Sequence, residues 1–135
     1  MPSYISGQQS KRTDCHKDGN YLLAVIGAEE KTSSKGSEMI ELKLEVIGPD
    51  IEEGQGAILF DYLVFTESAA WKIDQFRRAC GENIVEGKEV EVEASDLEGK
   101  SVEAHLVIEE FKGKKRNKVG DYINPNAEKD GTEPF

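Results

Sequence analysis

Between residues 111 and 118 the chain reads Phe111-Lys112-Gly113-Lys114-Lys115-Arg116-Asn117-Lys118, with Tyr122 a little beyond. Cations at this density suit phosphate oxygens, and flat rings suit the faces of unpaired bases, each stacked base contributing about 1–3 kcal/mol. The same composition would also serve a solvated hairpin tip that keeps a sheet edge from aggregating. The rest of the chain favours the first reading. Acidic residues outnumber basic ones 27 to 17, for a net charge of -10. Cations gathered on one segment therefore concentrate positive potential there, while the remaining surface repels phosphate.

A second candidate is the end of the chain, Asn126-Ala127-Glu128-Lys129-Asp130-Gly131-Thr132-Glu133-Pro134-Phe135. An acidic stretch that finishes on a proline and a ring suits a docking peptide. Phe135 would fill a pocket beside Pro134, and Asp130, Glu133 and the terminal carboxylate would meet Lys or Arg on a partner. An ordinary frayed terminus is the plainer alternative.

Other chemistries find no support. Cys15, His16, Cys80 and His105 are the only soft metal ligands and lack the paired spacing of a structural zinc site, so neither a metal nor another cofactor is expected. Glu89, Glu91 and Glu93 share one alternating polar face, where solvation explains them without an acid–base pair. There is no phosphate loop, dinucleotide fingerprint or Ser-His-Asp set, so an enzyme is not expected. Two distant cysteines in 135 residues, no long apolar run and no basic leader point to a cytoplasmic protein without membrane attachment.

The elements that must position these residues follow from periodicity. Residues 1–18 are a polar lead-in with neither period. Tyr21-Leu22-Leu23-Ala24-Val25-Ile26 suits a strand buried on both faces, ending in the polar turn from Lys31 to Ser37. Ile40, Leu42, Leu44 and Val46 alternate with Glu41, Lys43 and Glu45 as a half-buried second strand, and Ile58 to Phe65 forms a third. Ala69, Ile73, Phe76 and Cys80 recur at helical spacing, with Ser68 as N-cap and Gly81 as C-terminal cap. Trp71 lies off that face and either packs at the helix start or stands exposed; ordinary burial habits favour packing.

Glu89 to Ala94 alternates as a further strand. Leu97 to Lys100 turns, Val102 to Ile108 alternates again, Phe111 to Lys118 makes a hairpin tip and Val119 to Ile123 returns. Three strands, a helix and later strands over 19–124 match a mainly β, five-stranded OB-fold Greek-key barrel with its helix between the third and fourth strands. A sandwich with one decorating helix is the competing architecture. In the barrel the loops joining strands one to two and four to five flank the binding face, so Lys31 and Lys35 would extend the basic track.

The segments Gly19-Asn20-Tyr21, Lys35-Gly36-Ser37-Glu38-Met39-Ile40, Trp71-Lys72-Ile73-Asp74-Gln75-Phe76 and Asp96-Leu97-Glu98-Gly99-Lys100, with the hairpin to Tyr122, resemble a phage and prophage family of small proteins. That family was long catalogued without function and is regarded as OB-fold single-stranded DNA-binding proteins. Separately, Asp130 to Phe135 is similar to the acidic tip of bacterial single-stranded DNA-binding proteins, with fewer acids and a glycine inside it. The resemblances imply a binder of single-stranded DNA in replication or recombination, working in a bacterial host cytoplasm. Its flexible tail, residues 125–135, would dock replication or recombination proteins. An OB-like interaction adaptor that binds no nucleic acid is the alternative. Whether the chain forms a homo-oligomer, and whether it prefers DNA or RNA, the residues leave open.

Overall fold

The computed structural model describes residues 1–2, 15–85 and 87–125. In chain order the elements are β1 (Gly19–Thr32), β2 (Glu38–Gly48), β3 (Ile58–Val64), a 3-10 turn (Glu67–Ala69), α1 (Ala70–Ala79), α2 (Ala94–Leu97), β4 (Ser101–Phe111) and β5 (Lys114–Ile123). The chain is mainly β. Among the described residues five strands form one antiparallel sheet in the order β3-β2-β1-β4-β5, and no ladder joins the two outer strands to close it.

β1 is longer than its apolar run and buries one face only. Leu23 and Val25 are enclosed while Leu22 and Ile26 are 41% and 45% exposed, which corrects the expectation of a strand buried on both sides. A continuous apolar run does not decide between one covered face and two; here helices cover only the inner face. Register shifts at Leu22/Leu23 and Val25/Gly27 bend the strand. Its first residues, Gly19 to Ala24, pair with β4, whereas Leu22 to Thr32 pair with β2. β2 follows the alternation: Ile40, Leu42, Leu44 and Val46 are all buried. Gly56 is required where the loop before β3 crosses β2, because a Cβ there would lie 1.7 Å from the Val46 carbonyl oxygen.

Two other expectations change. Glu89 to Glu93 forms no ladder, and the fourth strand is Ser101–Phe111. Alternation describes how side chains divide between two faces, not whether a neighbouring edge is at hand. Ser68 does not cap α1 either. The helix is entered through the 3-10 turn, whose N-cap is Thr66, and Ser68 lies inside that turn. The C-terminal end is as expected. Gly81 has φ 92°, its N–H donates to Arg78 O at 2.9 Å, and the Glu82 N–H donates to Arg77 O at 3.1 Å. Together these bonds satisfy carbonyls that a helix end otherwise leaves open.

α1 buries Ile73, Phe76 and Ala79 and leaves Trp71 61% exposed, so the tryptophan stands outside the core. The helix covers the gap between the sheet's outer strands. Asp61 of β3 points inward, where Lys72 of α1 donates to its Oδ1 at 2.6 Å and the Tyr122 hydroxyl of β5 donates to its Oδ2. Gln75 completes the join, its Oε1 accepting the Tyr122 N–H at 2.9 Å. Side chains therefore hold β3 to β5 where backbone bonds do not.

Residues 15–18 strap the opposite end. The His16 N–H donates to Asn117 Oδ1 at 2.7 Å, and Asn117 Nδ2 donates to His16 O at 2.9 Å. The Ala57 N–H donates to His16 Nε2 at 3.1 Å, and the Ile108 N–H to Asp18 Oδ1 at 2.9 Å. No described helix is long and apolar enough to cross a membrane.

Candidate nucleic-acid interface

The basic segment is not a loose loop. The β4–β5 ladder runs to the pair Phe111/Lys114, and the chain reverses in two residues, Lys112 (φ 51°) and Gly113 (φ 80°). Two successive positive φ values define the tight turn whose twist matches a hairpin, and glycine supplies one at no steric cost. Lys114, Lys115, Arg116 and Lys118 thus lie on β5 rather than on a tip. Their strand character is hidden in the sequence because the arm is wet on both faces and leaves no apolar alternation.

Residues opposite one another in an antiparallel pair share a face. The register therefore puts Phe111, Lys114, Glu109, Arg116, Val107 and Lys118 on the outer face of the arm, and Ile108, Glu110, Lys115 and the buried Asn117 on the inner. Phe111 is 54% exposed, with Lys112 Nζ 5.3 Å and the Arg116 guanidinium 5.1 Å from its ring centre. Arg116 Nε also donates to Glu109 Oε2 at 3.1 Å, and Lys118 Nζ lies 3.9 Å from Glu109 Oε1. One carboxylate thereby pairs with two of the cations, of which Arg116 lies against the ring. Being exposed, such pairs are weak and exchange readily for phosphate.

The other expected residues divide. Tyr122 is 3% exposed, packed edge-on against Phe76 with ring centres 5.0 Å apart, and bonded to Asp61. Burial first, then the adjacent carboxylate, pushes its hydroxyl well above the ordinary range, so it remains a neutral donor. This corrects its assignment as a base-stacking ring: it is a core residue. Lys31 is exposed on β1, and its ammonium is 3.0 Å from Glu41, whose hydrogen bond raises the lysine's pKa. Lys35 is exposed in the β1–β2 turn. Because β1 and β4 are antiparallel, that turn and the basic arm leave opposite ends of the sheet; they flank its outer face rather than meeting. Asp130, Glu133, Pro134 and Phe135 lie outside the described residues.

Between the two hairpins the outer face carries residues not singled out by type. Phe60 is 51% and Tyr62 39% exposed on β3, and Lys43 of β2 is the cross-strand partner of Phe60. The Tyr62 hydroxyl donates to Glu41 Oε2 at 3.0 Å, which joins it to Lys31. The signal was present in the run Leu59-Phe60-Asp61-Tyr62-Leu63. Leu59 and Leu63, four apart, go inward, so the aromatics at alternate positions between them must go outward. Among the described residues no group of three or more His, Cys, Asp or Glu is placed to hold a metal.

These features define a mainly β domain that carries a basic, aromatic-tipped arm at one end of an otherwise acidic sheet. The chain belongs to the family described as a protein of unknown function, DUF669, whose family model matches residues 4–134. No curated protein matches it.

Proposed function

We propose that the protein is a single-stranded DNA-binding protein of the OB-fold type, acting in phage DNA replication or recombination. The observation that carries the reading is the exposed Phe111 ring with Lys112 and Arg116 against it, at the end of an arm whose five cations outnumber Glu109 and Glu110. Phosphates would replace Glu109 as the partners of Arg116 and Lys118, and a base would stack on Phe111. Phe60 and Lys43 offer a second ring and cation along the same outer face.

The strand order supports the fold assignment. β4 lies beside β1 of a β1-β2-β3 meander, a Greek-key arrangement, with α1 between β3 and β4 in the chain as in OB-folds. The tail ending in Pro134 and Phe135 would dock replication or recombination proteins, as the similar tips of bacterial single-stranded DNA-binding proteins do.

The test is fluorescence anisotropy of labelled single-stranded DNA, duplex DNA and RNA with the full chain across a salt series. Single strands should bind, with log K falling against log salt by about 0.7 per phosphate contacted. Absence of binding to all three would leave the interaction-adaptor reading instead. Removing residues 126–135 should preserve DNA binding and abolish capture of the partner, with Phe135→Ala reproducing the second effect alone.

A further inference from the structure

We infer that an extended peptide of a partner protein, with alternating basic and apolar residues, adds as a strand in the acidic groove between the free edge of β1 and residues 89–93. This does not rest on DNA binding, and the acidic lining of the groove repels a phosphate chain.

The first observation is an open backbone edge. β4 ends its pairing with β1 at Ala24, and the Val25 N–H and carbonyl are taken by Lys100 and Gly99. Beyond that point β1 has β2 on one side only. The Ser33 N–H donates to Ser37 O at 2.7 Å, so the alternation of an antiparallel ladder turns the backbone groups of Ala28, Glu30 and Thr32 away from β2. The Ala28 N–H is satisfied by Glu98 Oε2 at 3.2 Å. Among the described residues those of Glu30 and Thr32 have no such partner, which leaves a stretch of about 7 Å with a strand's bonding pattern on offer.

The second observation is what faces this edge. A cavity of about 590 Å³ separates it from residues 89–93. That segment has the alternation of a strand without a ladder: Val92 is half-buried on the core, Glu89, Glu91 and Glu93 are exposed, and Glu93 has extended backbone angles. Val90 is 42% exposed beside the cavity. An inserted strand would find backbone groups on the β1 side and an apolar floor of Ile40, Phe65 and Val92. Strand addition of this kind takes affinity from main-chain bonds and specificity from the side-chain pockets.

The third observation selects the occupant. Glu30, Glu38, Glu89, Glu91 and Glu93 line the cavity, and its one lining cation, Lys31, is paired with Glu41 on the outer face. A strand carrying Lys or Arg is complementary; an acidic one, or a nucleic acid, is repelled.

The experiment is a titration of the 15N-labelled full chain with acetyl-Lys-Val-Lys-Val-Lys-Val-amide, read by amide shifts and hydrogen exchange. The Glu30 and Thr32 amides should shift, and their exchange should slow by about tenfold or more. Replacing Glu89, Glu91 and Glu93 together by Gln should weaken binding about tenfold at low salt while leaving the spectrum folded. A peptide of the same charge, N-methylated at alternate residues, should not slow exchange at Glu30 and Thr32. Equal binding by the N-methylated peptide would reduce the contact to charge alone and overturn strand addition. Equal shifts with calcium chloride alone would make the groove a cation site. Self-association without peptide, abolished by Thr32→Pro, would make the occupant a second copy. Any of these results defeats the inference.

Discussion

The two ends of β5 are made of one continuous strand and do opposite work. From Lys114 to Lys118 it is wet on its outer face and charged; from Val119 to Ile123 it lies against β3 and α1, where Tyr122 is bonded to Asp61 and packed on Phe76. Phe111 and Tyr122 belong to the same hairpin and have the same kind of ring. One is available to a ligand and the other is not, and the difference comes from what covers each end of the sheet. Ring type and spacing along a hairpin thus nominate stacking residues, and only the neighbouring element selects among them.

Substitutions at the two ends should separate stability from binding. The largest effect is expected for Tyr122→Ala, which empties core volume and leaves Asp61 with one fewer donor; it should cost about 3–5 kcal/mol in denaturant unfolding. Tyr122→Phe should cost about 1.5–3 kcal/mol, as loss of a hydrogen bond to a charged group. If either variant stays fully stable yet loses DNA affinity, the contrast between the ends is wrong. Changing Lys114, Lys115 and Arg116 together to Ala should leave unfolding unchanged and lower the single-strand salt slope by about 1.4, at about 0.7 for each of the outer-face contacts of Lys114 and Arg116. Phe111→Ala should weaken binding by about 1–3 kcal/mol without lowering the melting temperature. A fall in melting temperature with unchanged affinity would return Phe111 to a structural role.

The smallest effect concerns the strap. Burial lowers the His16 pKa from its ordinary 6.5, and the neutral ring accepts the Ala57 N–H, which an imidazolium cannot do. The unfolded chain therefore binds the proton more readily. The stability from the neutral ring is fully present above pH 6.5 and is lost as pH falls from there through the lower folded value. Thermal melts between pH 7.5 and 5 should show a decline in the native protein that is smaller in His16→Gln.

Much of this architecture is legible in the residues because burial writes a period. The alternation of Ile40, Leu42, Leu44 and Val46 and the helical spacing of Ile73 and Phe76 report what the core covers. The arm was legible as chemistry but not as a strand, since near its turn the ribbon is exposed on both faces and has no apolar period to display. Glu89 to Glu93 shows the converse, a period without a ladder. Tyr122 was misplaced because its partners, Asp61 and Phe76, are distant in the chain. An aspartate at an inward position of an apolar strand was the one local sign that a buried donor must exist elsewhere.

The tight turn at Lys112-Gly113 also constrains how this arm can change through descent. Side chains alternate along each strand, so one residue added to both strands would carry the terminal ring to the opposite side, away from Glu109 and Arg116. Among relatives that keep the turn, arm length should therefore drift by even steps on each strand. Odd steps should coincide with an aromatic displaced by one position or with an inserted bulge. The hairpin is in this sense a vernier, and a set of related sequences aligned on the glycine of the turn would show its graduations.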